Sequence, residues 1–212
     1  MPLFYQYYIN TNTKLAIWQI EEDEAFFLAK VPLQNNITHP HKRLQHLAGR
    51  YLLRFLFPDF PNEEIIIAST RKPFLPNEQY HFSISHCGNF AAAIVSKTER
   101  VGIDIEIETD RVAKIAHKFL NNAESNMFND GPEILNRSLT LFWSAKETIF
   151  KWWGMGEVDF KEHIQLAGFI LNNKGEFNGA FRKLNPPEML VINYQFFNTL
   201  CLTFTHNNYV KQ

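Results

Sequence analysis

The chain has 212 residues, 45% hydrophobic and 20% charged, with 20 Phe, 9 Gly, 10 Pro and a formal net charge of −1. At this length one large domain or two small ones bury well over half of the unfolded surface, and the composition excludes disordered and fibrous chains. The near-neutral balance excludes general nucleic-acid binding; the start "MPLFYQYYIN" lacks the pattern of a signal peptide and no apolar run nears the roughly 20 residues that span a bilayer, so a soluble cytoplasmic protein is expected.

From Ala25 to Pro58 there is no Asp or Glu, while Lys30, Lys42, Arg43, Arg50 and Arg54 are present with His39, His41 and His46. A basic window in a balanced chain reads as a confined anion site. Within it, residues 38 to 57 predict a helix: Leu44, Leu47, Tyr51 and Phe55 recur at helical spacing, Pro58 stops the run, and Arg43, His46, Arg50 and Arg54 line another face. A solvated basic face is the plain alternative.

Next come a strand in "EIIIAST", a Pro-bounded loop in "RKPFLPNEQ", and three strands in "YHFSISHCGNFAAAIVSKTERVGIDIEIE", turned at Cys87-Gly88-Asn89 and Lys97 to Arg100. Residues 111 to 128 and about 132 to 153 predict helices, the second opened by Pro132 and closed near Gly154. "FKEHIQLAGFIL", "GEFNGAFRKL", "EMLVINYQFF" and "TLCLTFTH" read as short antiparallel strands. Both halves thus run helix, then strands, an order that permits an α+β fold of two similar lobes, 1–105 and 106–212. Cys87 and Cys201 fit no disulfide framework or zinc spacing and read as reduced thiols.

Chemistry concentrates in two places. As a strand, "VGIDIEIETD" puts Val101, Ile103, Ile105 and Ile107 on one face and Gly102, Asp104, Glu106 and Glu108 on the other. Carboxylates in a row repel one another unless a cation faces them. Asp104 and Glu106 lie roughly 7 Å apart along a strand, close enough to clamp a hard cation. On the helix "SLTLFWSAKETIFKWWG", Leu135, Leu139, Phe142, Ile149 and Trp153 form the apolar stripe, and Thr140, Ser144, Glu147 and Lys151 share another face. Glu147 is the natural third carboxylate for a Mg²⁺ site; an ordinary i, i+4 surface pair with Lys151 is the plain alternative. In "FSISHCG", His86 and Cys87 point to opposite sides of a strand, which makes them a poor base and nucleophile for a cysteine hydrolase.

"VGIDIE" followed by "FWSAKETIFK" resembles the signature of the phosphopantetheinyl transferases, G-[IV]-D-x-E and [FW]-[SCT]-x-K-E-[AS]-x-x-K, matched by Gly102, Ile103, Asp104, Glu106, Trp143, Ser144, Lys146, Glu147 and Lys151. Thr148 stands where the family has Ala or Ser. "RKPFLP" and "HFSISHCGNF" are similar to the family's G-K-P loop and F-[NS]-[IL]-S-H-[ST]-G strand, with Lys72, Pro73, Ser85, His86 and Gly88 in register, Arg71 in place of Gly and Cys87 in place of Ser or Thr. The resemblance covers about 42 to 155, and the length suits the two-lobed, surfactin-synthetase-activating type.

The resemblance implies a pseudo-twofold α+β monomer that binds coenzyme A and Mg²⁺ and transfers phosphopantetheine to a serine of an apo acyl or peptidyl carrier protein, releasing 3′,5′-ADP. Carried over by residue, Asp104, Glu106 and Glu147 are metal ligands, Glu147 and Lys151 are catalytic, and Lys72, Ser85 and His86, with His46 and Arg43, hold coenzyme A. For carrier docking the expected segment is "AKIAHKFLNNAESNMF", with Ile115, Phe119, Leu120, Met127 and Phe128 beside Lys114 and Lys118. Two other readings stand beside this one: a Mg²⁺-dependent nuclease or phosphohydrolase using the same carboxylates, and a non-enzymatic coenzyme A binding module.

Overall fold

A computed structural model describes residues 2–33, 37–128 and 131–207. The protein is α+β, with antiparallel strands packed on helices, and the chain divides into two compact units: residues up to Val101, and Gly102–Asn207.

The first unit opens with a hairpin, β1 (Leu3–Tyr8) and β2 (Thr13–Gln19), in which Tyr5 pairs with Ile17 and Tyr8 with Lys14. The expectation that this half begins with a helix is thereby corrected. The pair is hard to see in sequence because β2 is buried on both faces, "LAIW" being a continuous apolar run without alternation, and β1 is a half-exposed edge. After a short helix α1 (Glu24–Leu28) comes α2 (Pro40–Leu56), opened by His39, whose ring Nδ1 accepts from the Lys42 amide, and by Pro40 in its first turn. Two-residue strands β3 (Ile66–Ile67) and β4 (Pro73–Phe74) pair with each other, so "EIIIAST" is mostly loop. Strands β5 (His81–Cys87) and β6 (Phe90–Ser96) complete a four-stranded sheet in the order β1-β2-β6-β5.

Helix α2 lies across this sheet. Leu47, Ala48, Leu52, Leu53 and Leu56 are buried there with Phe27, Phe57, Phe60, Tyr80 and Phe82, while Leu44, Tyr51 and Phe55 pack at the margin. The rings meet edge-on or tilted, as Phe60 does with Phe82 at 5.2 Å and Trp18 with Tyr51 at 5.0 Å, the geometry ring quadrupoles prefer.

The second unit begins within β7 (Arg100–Ile107), an edge of the sheet β7-β11-β10-β9-β8, whose other strands are β8 (Ile164–Leu166), β9 (Lys174–Phe181), β10 (Glu188–Phe197) and β11 (Leu200–Asn207). The long helix α5 (Pro132–Trp153) packs on β11 and ends at Gly154, whose φ of 70° is the left-handed cap a glycine adopts freely. The helix expected over 111 to 128 is two: α3 (Asp110–Phe119) and the single turn α4 (Asn122–Ser125). Asn121 divides them. Its side chain accepts from the Glu124 amide at 2.9 Å while Glu124 accepts from the Asn121 amide at 3.0 Å, a reciprocal cap that starts a new helix.

Candidate functional site

In the second unit, β7 and α5 approach so closely that a side chain at Gly102 would run into the Thr148 carbonyl and Trp152. That contact explains the glycine and brings Asp104 under the polar face of α5. Asp104 is buried; Ser144 Oγ donates to its Oδ2 at 2.8 Å and Lys151 Nζ to its Oδ1 at 2.6 Å. The Lys151 ammonium therefore pairs across the strand with Asp104, and the helix face is a packed polar seam rather than a solvated one. Thr203 on β11 belongs to this seam, with Oγ1 2.9 Å from Ser144 Oγ and 2.7 Å from Thr148 Oγ1. Ser144 gives its proton to Asp104, and Thr148 Oγ1 also donates to the Thr203 carbonyl at 3.2 Å, so three hydroxyls form a chain that ends on one carboxylate. Thr203 carries no sequence signal, and Thr148, the departure from the family pattern, supplies the far end of the chain.

Glu147 sits on the same helix. Burial pushes its carboxyl up to about 7, Asp104 adds to the rise, Lys151 opposes it, and Glu106 raises it further. Three acidic groups thus act on one another in a partly dry place. Glu106 is half-buried and its Oε1 accepts from the Ile107 amide at 3.3 Å. Glu108, the last acid of the strand segment, is taken up by Arg137 at 2.6 Å. Among the described residues no three His, Cys, Asp or Glu side chains are gathered as a ready-made metal cage; the Lys151 ammonium lies on an oxygen of the most buried carboxylate. The donor set nevertheless suits a hard divalent cation: all oxygen, and burdened with mutual repulsion that added positive charge relieves.

Lys146, a motif residue, has a different place. It is fully buried, and its Nζ donates to the Phe119, Phe160 and Ile164 carbonyls at 2.8, 2.8 and 2.9 Å and to Glu124 Oε2 at 2.7 Å. Glu124 Oε1 in turn accepts from the Leu166 amide at 2.9 Å. The pair joins α5 to α4 and β8. Cys201 is also buried, which pushes its thiol up and makes it inert; neither cysteine is in a disulfide.

The residues expected to hold coenzyme A all lie in the first unit. Of these, α2 brings His46 within electrostatic reach of Arg50 and of His86 on β5; burial first, then Arg50 and His86, holds the His46 imidazole down at about 4, so it is neutral at pH 7. Arg43 is taken up by Glu24 at 2.7 Å, and Arg54 by Glu63. Burial pushes Lys72 down to about 8, helped by Arg100. Ser85 is buried on β5 and His86 is exposed. His41 Nε2 and Gln45 Nε2 both reach the Gly88 carbonyl, at 3.0 and 2.8 Å, tying α2 to the turn after β5. Within the expected docking segment, Phe119 and Leu120 are core residues and Met127 is exposed.

Residues 100–204 match the sequence profile of the 4′-phosphopantetheinyl transferase superfamily. Enterobactin synthase component D of Escherichia coli (strain K12) is 35% identical over 115 residues, 52% of this chain and 54% of that protein. The counterpart from Salmonella austin is 30% identical over 129 residues, 60% of this chain and 52% of that protein. The 4′-phosphopantetheinyl transferase AcpT of Escherichia coli O157:H7 is 29% identical over 137 residues, 59% and 68% respectively. The chain spans about half the length of the enterobactin synthase components it matches.

Proposed function

We propose an activity for a chain that belongs to the 4′-phosphopantetheinyl transferase superfamily: it transfers the phosphopantetheine moiety of coenzyme A to a serine of an apo carrier protein in a Mg²⁺-dependent reaction that releases 3′,5′-ADP. The observation that carries this reading is the polar seam of β7 and α5, where Asp104 receives Ser144 and Lys151 beside a Glu147 held near neutrality.

The carrier serine oxygen attacks the phosphorus next to the pantetheine arm, the bond from that phosphorus to the nucleotide-side oxygen breaks, and the serine proton is lost. Asp104, Glu106 and Glu147 would hold Mg²⁺, which when bound neutralises charge on the pyrophosphate. Glu147 accepts the serine proton, directly or through a water. Lys151 shifts from Asp104 toward the leaving group as charge grows there and supplies the proton to the departing oxygen. Lys72, Ser85, His86 and His46 bind the nucleotide end. The reading carries with it a cytoplasmic, monomeric enzyme.

Incubating the protein with coenzyme A, Mg²⁺ and an apo carrier and then weighing the carrier tests the proposal. A mass increase of one phosphopantetheine, absent with a chelator, is expected. Phosphate release without a carrier indicates the phosphohydrolase reading, and no change in either refutes both.

A further inference from the structure

A serine or threonine inside a helix has an ordinary place for its hydroxyl proton, the carbonyl one turn back. Thr140 on α5 uses it, donating to the Asn136 carbonyl at 2.8 Å. Ser144, one turn further along, does not: its Oγ reaches across the seam and donates to Asp104 Oδ2 at 2.8 Å. Two groups draw it there. One is the carboxylate itself; the other is Thr203 on β11, a fully buried residue whose Oγ1 lies 2.9 Å from Ser144 Oγ. The second Asp104 oxygen, Oδ1, meets the Lys151 ammonium at 2.6 Å. One oxygen of Asp104 is thus anchored on a hydroxyl while the other meets a cation, and the rotation of the carboxylate follows where the Ser144 hydroxyl points.

We propose that Thr203 is a positioning residue for the metal centre: it holds the Ser144 hydroxyl against Asp104, and so keeps Asp104 Oδ1 turned toward the divalent cation. The inference rests on the functional reading above, in which Asp104 is a metal ligand. Thr203 acts only through Ser144. Its hydroxyl also meets Thr148 Oγ1 at 2.7 Å, but Thr148 donates to the Thr203 carbonyl at 3.2 Å and keeps that partner if the Thr203 hydroxyl is removed. Ser144 has no such reserve across the seam. Without Thr203 Oγ1 its proton is shared between Asp104 and the competing carbonyl one turn back, so the loss falls on Ser144 and, through it, on Asp104. One neutral hydrogen bond, a factor of roughly five in an equilibrium, sets the scale of the effect.

Mg²⁺ binding to the full chain with coenzyme A present, measured by calorimetry, tests the assignment with Thr203→Val and Thr203→Ser. The control is Thr205→Val, which removes another buried hydroxyl of β11, one that donates to the Val191 carbonyl at 2.8 Å. Thr203→Val keeps the shape and removes the hydroxyl. Its Mg²⁺ affinity should fall about fivefold and the Mg²⁺ concentration for half-maximal transfer should rise by the same factor, while the rate at saturating Mg²⁺ stays within about twofold of wild type. Thr203→Ser, which returns the hydroxyl, should recover Mg²⁺ affinity to within about twofold although urea unfolding finds it less stable for want of the methyl group. Thr205→Val should bind Mg²⁺ as wild type does. A Thr203→Val that loses stability but not Mg²⁺ affinity, a Thr203→Ser that recovers nothing, or an equal loss in Thr205→Val would make Thr203 a packing residue and overturn the proposal. If Thr203→Val does not fold, Thr203→Ala and Thr203→Ser, which differ by the hydroxyl alone, decide by the same comparison. A wild type that binds no Mg²⁺ beside coenzyme A overturns the metal centre of the functional reading and this assignment with it; one that binds Mg²⁺, with Thr203→Val unaltered, overturns this assignment alone.

Discussion

Two carboxylates with unlike surroundings divide the chemistry. Asp104 is held by Ser144 and Lys151; among the described residues no such donor reaches Glu147, whose carboxyl burial pushes up to about 7. Unlike surroundings of this kind give the carboxylates of one site different roles. Glu147→Gln keeps the shape and removes the base: it should abolish transfer while leaving coenzyme A affinity within about tenfold of wild type, as read by carrier mass and by calorimetry. Normal turnover in this variant would exclude Glu147 as the base. The motif positions were legible in the sequence because their spacing along one strand and one helix is local. The partner of Lys151 was not: i, i+4 spacing points to Glu147, and only the packing of β7 against α5 makes Asp104 the recipient.

Two local features of the elements yield predictions. Arg71 occupies the turn between β3 and β4 with φ of 66°, a conformation that favours glycine, the residue the family pattern has there. Its backbone is as the motif requires, and the side chain is what strains it; Arg71→Gly should raise stability by up to about 1 kcal/mol in denaturant titrations, net of the greater freedom glycine gains when unfolded. The second feature is the Lys146–Glu124 pair, closed to solvent at both ends. Burial, helped slightly by Lys161, pushes the Lys146 ammonium down, and Glu124 works against that shift. Lys146→Met strands a buried carboxylate and should cost about 3–5 kcal/mol, with Lys146→Met and Glu124→Gln combined recovering part of it. A loss below 1 kcal/mol would show that the pair contributes little. The N-x-x-E signal that begins α4 stands openly in the sequence at Asn121 to Glu124; what the sequence lacks is any sign that a lysine on α5 neutralises the capping glutamate.

For the whole molecule, two buried titrations oppose each other in the pH dependence of stability. The Glu147 pKa is raised on folding, so the folded state holds the extra proton, and stability falls as pH rises from about 4.5 through about 7. The His46 pKa is lowered, so the unfolded state takes up the proton first, and stability falls as pH drops from about 6.5 through about 4. Between those limits the slopes offset one another. Urea unfolding across pH 4 to 8 should therefore show Glu147→Gln gaining stability relative to wild type as pH rises, and His46→Gln gaining as pH falls; parallel profiles for either variant would contradict its buried titration. By itself the sequence determined what is local and periodic: the two long helices, most strands, the acidic strand and the motif on α5. Tertiary structure alone decided which cations are free and which are taken, that Lys146 is a strut, that Thr203 joins the seam, and that an unpatterned hairpin begins the chain. The reason is physical: side-chain period and capping depend on neighbours along the chain, whereas burial and pairing of charge depend on groups tens of residues away.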